Sequence, residues 1–209
     1  MVKKSSIRTG GYVPLTTIDY PGMLAAVVFL SGCPWNCPYC HNAALRDFHY
    51  SAGPTWEEIL GHLGKRQGLL EGVVFSGGEP TAQTALGHAI MDAKDFGFAI
   101  GLHTAGAYPE KLEAILPLVD WVGLDIKAPP DDRYDRLVQK PGAARNFLHS
   151  LQLVQESGVD FTLRTTVDPR WTPAADWRDL QNWLAGQGLP PSHRQEADPV
   201  ISYADSGSG

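Results

Sequence analysis

"AAVVFLSGCPWNCPYCHNAAL", residues 25–45, is a short apolar run that empties into a loop holding every cysteine of the chain. Ala25–Leu30 is continuously apolar, rich in β-branched side chains and too short for a typical helix, which predicts a strand buried on both faces. Cys33, Cys37 and Cys40 follow at once as a C-x3-C-x2-C group. A closed structural zinc site takes four ligands, and three thiols are offered. His41 adjoins Cys40, and neighbouring side chains diverge rather than chelate together; His49 and His62 belong to no second knuckle. Thiolates select zinc, Cu(I) or iron–sulfur clusters. A cubane [4Fe–4S] cluster held by three of them leaves one iron open to a small molecule. The group therefore points to such a cluster, with a zinc-stabilised, non-catalytic binding module as the alternative of a different class.

The same strand type recurs outward from this stretch. "GVVFS" (72–76), "GFAIGLH" (97–103), "WVGLDIK" (121–127) and "VDFTLRTTV" (159–167) are short, apolar and β-branched or aromatic. Between them, residues 55–66, 83–96, 108–119, 142–157 and 174–186 carry apolar side chains at helical spacing. Thr55 with Glu58 makes a capping box, and Gly97 and Gly158 stand where a left-handed residue closes a helix. "PVISY" (199–203) offers a sixth strand. The alternation predicts an α/β fold with a parallel sheet covered by helices, either an open partial barrel or a doubly wound sheet. One domain is expected over 1–209, with a core at about 22–187, an incomplete last unit and a flexible tail at about 204–209.

In both architectures ligands collect at the C-terminal ends of the strands. The polar residues obey that rule: the cysteines follow the first strand, "SGGEPT" the second, His103-Thr104 close the third, Asp125 and Lys127 the fourth, and Arg164 lies in the fifth. Gly77 and Gly78 allow a backbone to approach a ligand closely, although Gly-Gly-x-Pro also marks a plain strand-to-helix turn. Pro21-Gly22 in "DYPG" is a turn signal.

Bulk properties narrow the partners. The 209 residues are 43% hydrophobic with a formal net charge of −6 and no Lys/Arg-rich run, which argues against nucleic acid. "MLAAVVFL" (23–30) is too short to cross a bilayer, and the basic start has no apolar run behind it to make a signal peptide. A cytoplasmic, reducing location follows, where close thiols serve as metal ligands rather than disulfides.

The cysteine group with Tyr39 as the aromatic before its last member resembles the signature of radical S-adenosylmethionine enzymes. That family's fold is a partial (β/α)6 barrel. The resemblance implies that the open iron binds the amino and carboxylate groups of S-adenosylmethionine, whose reductive cleavage yields a 5′-deoxyadenosyl radical that takes hydrogen from a substrate. Gly77-Gly78-Glu79-Pro80 resembles the family's GGE motif, which contacts the amino group. "GYVPLTTIDYPGMLAAVVFLSGCPWNCPYCHN" further resembles the activating proteins of anaerobic (class III) ribonucleoside-triphosphate reductases, and Cys40-His41-Asn42 the C-H-N of glycyl-radical activating enzymes; "HTAG" and "GLDIK" follow in order to about residue 168. This implies a partner protein bearing the glycine, and a flavodoxin or ferredoxin as electron donor. Activation of a pyruvate formate-lyase type enzyme, or a small-molecule reaction such as deazaguanine synthesis, are the neighbouring possibilities. By resemblance Thr104 and Asp125 fall beside the cofactor carboxylate, where a relative binds a monovalent cation, although this chain has His103 in place of an acidic residue. Lys127 and Arg164 fall near the same cofactor, Arg164 either paired with Asp125 or reaching the carboxylate. The "DYPG" turn would lie near the mouth where the partner's glycine loop enters.

Overall fold

The computed structural model describes residues 7–197. Seven strands form one sheet in sequential order: β1 (Thr9–Thr16), β2 (Ala25–Leu30), β3 (Gly72–Gly77), β4 (Ala99–Thr104), β5 (Trp121–Asp125), β6 (Asp160–Val167) and β7 (His193–Glu196). β1 runs antiparallel to β2, and all later neighbours are parallel. A doubly wound sheet reverses its strand order part-way; this sheet never does, and it curls into a half-barrel.

The crossovers are helical: α1 (Trp56–Gly64), α2 (Leu86–Asp95), α3 (Pro109–Ile115), α4 (Asp132–Val138), α5 (Ala143–Ser157) and α6 (Ala174–Gly186). Thr55 and Glu58 form the full capping box on α1, and Gly158 closes α5 in the left-handed region at φ +73°. Strand side chains alternate between two faces. Val28, Phe75, Leu102 and Leu124 are fully buried against Ile59, Ile90, Leu112 and Phe147 of the helices, each worth about 1.5–3 kcal/mol on burial.

The concave face is filled differently. Ala25, Val27, Val74 and Trp121 gather around Tyr20, which reaches in from the loop between β1 and β2. Tyr20 stacks on Trp121 with ring centroids 5.4 Å apart. A side chain at Gly72 or Gly101 would meet its ring at about 3 Å, so two glycines clear the space for it. "DYPG" is thus the turn its sequence signals, with Met23 N donating to Tyr20 O at 3.2 Å and Gly22 at φ +74°. It also makes the floor of the half-barrel.

Three elements depart from the expectations. β1 carries Gly10, Gly11 and Pro14, which mask a strand; as the edge of the described sheet it tolerates a proline. α4 has seven residues and is started by Asp131, whose side chain accepts from Arg133 N at 2.8 Å. β7 is "HRQE", exposed throughout, and it supplies the sixth parallel strand in a stretch with no apolar signal. "PVISY" (199–203) and the tail at 204–209 lie outside the described residues. Among the described residues no helix is long and apolar enough to cross a membrane.

Candidate active site

A cavity of about 270 Å³ opens at the C-terminal ends of the strands. One wall is the loop after β2: Cys33, Cys37 and Cys40 line it together with Trp35 and Tyr39. The loop is pinned by backbone bonds, Gly32 N to Leu45 O at 2.7 Å and Cys33 N to Arg46 O at 3.2 Å. Burial pushes the Cys33 thiol up to about 12 and raises that of Cys37 as well. These thiols lose their protons when a metal takes the place of solvent. Trp35 and Tyr39 are buried and keep water from the loop's inner side. The Tyr39 hydroxyl is buried without a hydrogen-bond partner among the described residues.

The next wall is the end of β3. Gly77 sits at φ +117°, and a Cβ there would lie 2.3 Å from the N and O of Leu30. A Cβ at Gly78 would lie 2.6 Å from Gly32 O and 2.7 Å from Leu45 O. The two sequence motifs are therefore in backbone contact, which only glycine permits. Both glycines line the cavity; Glu79 and Pro80 do not. The fully buried Glu79 carboxylate turns toward β4 instead. It accepts from Thr104 Oγ1 at 2.7 Å, Ala105 N at 2.9 Å and Thr81 Oγ1 at 2.6 Å. Glu79 thus clamps the ends of β3 and β4 together, and Thr104 lines the cavity with its hydroxyl already spent on that clamp.

The opposite wall is charged. Asp125 and Arg164 are register partners on β5 and β6, and Arg164 Nη2 donates to Asp125 Oδ1 at 2.8 Å. Lys127 Nζ donates to Oδ2 at 3.0 Å. Burial by itself would raise the Asp125 carboxyl, but Arg164 and then Lys127 outweigh it and hold the group well below the carboxylate range. Lys127 is raised in turn, the Asp125 charge overcoming its burial. Arg164 Nη1 also lies 3.1–3.2 Å from the ring nitrogens of His103. Gly123, between them, makes this possible: a side chain there would crowd both His103 and Arg164. Burial first, then Arg164, lowers His103 to about 4, and its Nε2 bonds the backbone oxygen of Asp19 at 2.8 Å. His103 is neutral near pH 7 and is fully engaged in structure.

The monovalent cation implied beside Thr104 and Asp125 does not fit these residues. Both Asp125 oxygens face cationic side chains, and the cluster of Arg164, Lys127 and Asp125 carries a net positive charge, which repels a further cation. The wall suits an anionic group instead. Asp19 of the "DYPG" turn also lines the cavity, as do Thr166 and Gln195, which were not singled out in the sequence. Thr166 shares its face of β6 with Arg164 by simple alternation, a legible signal; Gln195 stands on the polar β7, where none exists. A second cavity of about 610 Å³ shares Phe29, Cys40, His41 and Asn42 with the first and extends it toward Gly10 and Tyr50.

Comparison with known proteins shows the family and the fold. A family model described as the Radical SAM superfamily matches residues 27–184. A Methanocaldococcus jannaschii protein provisionally named a glycyl-radical enzyme activating enzyme is 34% identical over 177 residues, covering 81% of this chain and 72% of that protein. The pyruvate formate-lyase-activating enzyme of Clostridium pasteurianum is 33% identical over 164 residues, covering 76% of this chain and 68% of that enzyme. Among solved structures, native anSMEcpe with bound AdoMet superposes with a TM-score of 0.61 at 16% identity, over 80% of this chain and 49% of that one. At that identity the likeness speaks for the fold, and this chain spans about half the length of that structure.

Proposed function

The chain belongs to the Radical SAM superfamily, and from that premise we propose that it installs a glycyl radical on anaerobic ribonucleoside-triphosphate reductase. Superfamily members are enzymes that use a [4Fe–4S] cluster and S-adenosylmethionine. The observation that carries the reading is the backbone contact between the cysteine loop and the Gly77–Gly78 turn at one cavity. Two motifs far apart in sequence are built as two sides of one container.

The residues present fit both groups. Cys33, Cys37 and Cys40 line one wall of the cavity. Three thiolates match three separate irons of a cubane and are one ligand short of a closed tetrahedral zinc site. The cofactor pair supplies one-electron cleavage of a sulfonium and hydrogen abstraction from the substrate. Around it, Ser76 and Gly77 bring backbone to the cavity for an ammonium group. The net positive charge of Arg164, Lys127 and Asp125 suits the carboxylate of the cofactor. Tyr39 and Trp35 exclude water from the loop.

The reductase as partner is supported by the "TTIDYPG" segment, whose Tyr20 floors the half-barrel, and "CHN" supports a glycyl-radical partner in general. Asp19 beside it lines the cavity, so the partner's glycine loop would pass that residue. A flavodoxin or ferredoxin would supply the electron in the cytoplasm. The similarity to the Clostridium pasteurianum enzyme favours a second reading, a pyruvate formate-lyase type partner. The test is to reconstitute the protein anaerobically with iron and sulfide, reduce it with dithionite in the presence of S-adenosylmethionine, and add a class III reductase. A glycyl doublet in the electron paramagnetic resonance spectrum is expected. A doublet with pyruvate formate-lyase alone would replace the partner; a colourless protein with one zinc would overturn the reading.

A further inference from the structure

Gln139 ends α4 at φ 55°, ψ 40°, and it has the only positive φ of any non-glycine residue among the described residues. Helices commonly close in this left-handed conformation with Gly, which bears no Cβ penalty there, whereas Gln does. The cost is retained where a glycine would remove it. Strain of this kind points to what the side chain does.

The side chain reaches the cysteine loop. Gln139 Oε1 accepts from Asn36 Nδ2 at 2.5 Å, and the preceding Val138 O accepts from Asn36 N at 2.9 Å. Asn36 Oδ1 accepts from Arg46 Nη1. Asn36 lies between Cys33 and Cys37, and its neighbour Trp35 meets Tyr134 of α4 edge-on with ring centroids 5.7 Å apart. α4 is itself fixed to its surroundings. Asp135 accepts from Gly142 N and Ala144 N, and Arg133 pairs with Asp176 and Asp179 of α6. The end of α4 is therefore a rigid anchor that grips two successive residues of the loop from the side away from the cavity.

We infer that Gln139 is a positioning residue for the iron–sulfur site: its strained backbone is kept so that its amide fixes Asn36 and, through it, the span from Cys33 to Cys37. This rests on the cluster reading above, and the two can fail separately. The left-handed backbone and the amide contact make opposite demands, so one substitution separates them. Gln139→Gly relieves the backbone and removes the contact.

The experiment uses the full chain, reconstituted anaerobically, and reads two quantities: the melting temperature of the metal-free protein and the rate of iron loss to a chelator. For Gln139→Gly the melting temperature is expected to rise by about 2–4 °C, while iron is lost about 3- to 10-fold faster, as for one missing hydrogen bond. Asn36→Ala should match that acceleration, and the double variant should lose iron no faster than either single one, because the two residues form one contact. Gln139→Glu keeps an acceptor at the same reach and should restore the wild-type rate. If Gln139→Gly melts higher but holds iron as long as wild type, Gln139 only ends a helix and the inference is wrong. If wild type takes up no iron and sulfide, the cluster reading falls and this inference falls with it.

Discussion

Gly78→Ala tests whether the two motifs are in contact as closely as the structure has them. A methyl group there would sit 2.6 Å from Gly32 O and 2.7 Å from Leu45 O, both backbone atoms that no side-chain rotation can move. Ordinary contact needs roughly 3.5 Å, so the loop must retreat by about 1 Å. The same Gly32 O accepts from Glu79 N at 2.8 Å, and Gly32 adjoins Cys33, so the retreat strains a hydrogen bond and displaces the first thiol. Overpacking of this kind costs about 1–3 kcal/mol, which in a chain of this size lowers the melting temperature by about 3–10 °C. Circular dichroism of the metal-free protein measures that, and iron content after reconstitution should fall with it. Gly61→Ala is the control: Gly61 lies inside α1 with nothing near its missing Cβ, so alanine should stabilise by about 0.5–1 kcal/mol. A Gly78→Ala protein that melts within a degree of wild type and takes up full iron would refute the close approach.

Two further outcomes follow from the charged wall. His103 is lowered to about 4 when folded, so between that value and its ordinary 6.5 the unfolded chain binds the extra proton. Stability from this residue is therefore complete above pH 6.5 and declines as pH falls toward 4. From pH 7 to 5 the loss is on the order of 2 kcal/mol, and urea unfolding of His103→Asn should show a correspondingly flatter dependence. An unchanged slope would mean the ring is not buried beside Arg164 as placed. Asp125→Asn leaves Arg164 and Lys127, both largely buried, without their shared anion, and should destabilise by about 3 kcal/mol in the same assay; a loss under about 1 kcal/mol would show the cations reach water freely.

How much was legible in the chain differs by element. β2 to β5 were readable because strands buried on both faces must be largely continuously apolar, β6 through its β-branched and aromatic residues, and α1 announced its start through Thr55 and Glu58. β1, α4 and β7 were not, because an edge strand with Gly10, Gly11 and Pro14, a helix of seven residues and an exposed "HRQE" carry almost no periodic apolar signal. At the site, the cysteines and Gly77–Gly78 reach the cavity from where the sequence placed them, at strand ends. Glu79 does not: a carboxylate beside two glycines reads as a ligand, and only the fold shows Thr81, Thr104 and Ala105 waiting to hydrogen-bond it.

The sequence by itself determined the alternation of strands and helices, the rim on which the polar residues gather, and the kind of metal three thiols can hold. These are local matters of spacing, side-chain softness and backbone freedom. Only the tertiary structure decided that the sheet stays in sequential order, that Tyr20 floors it, that Asp125 takes both Arg164 and Lys127, and that α4 grips Asn36. Each of these depends on which residues meet across strands far apart in the chain, and that is fixed by register, curl and packing rather than by any neighbouring residue.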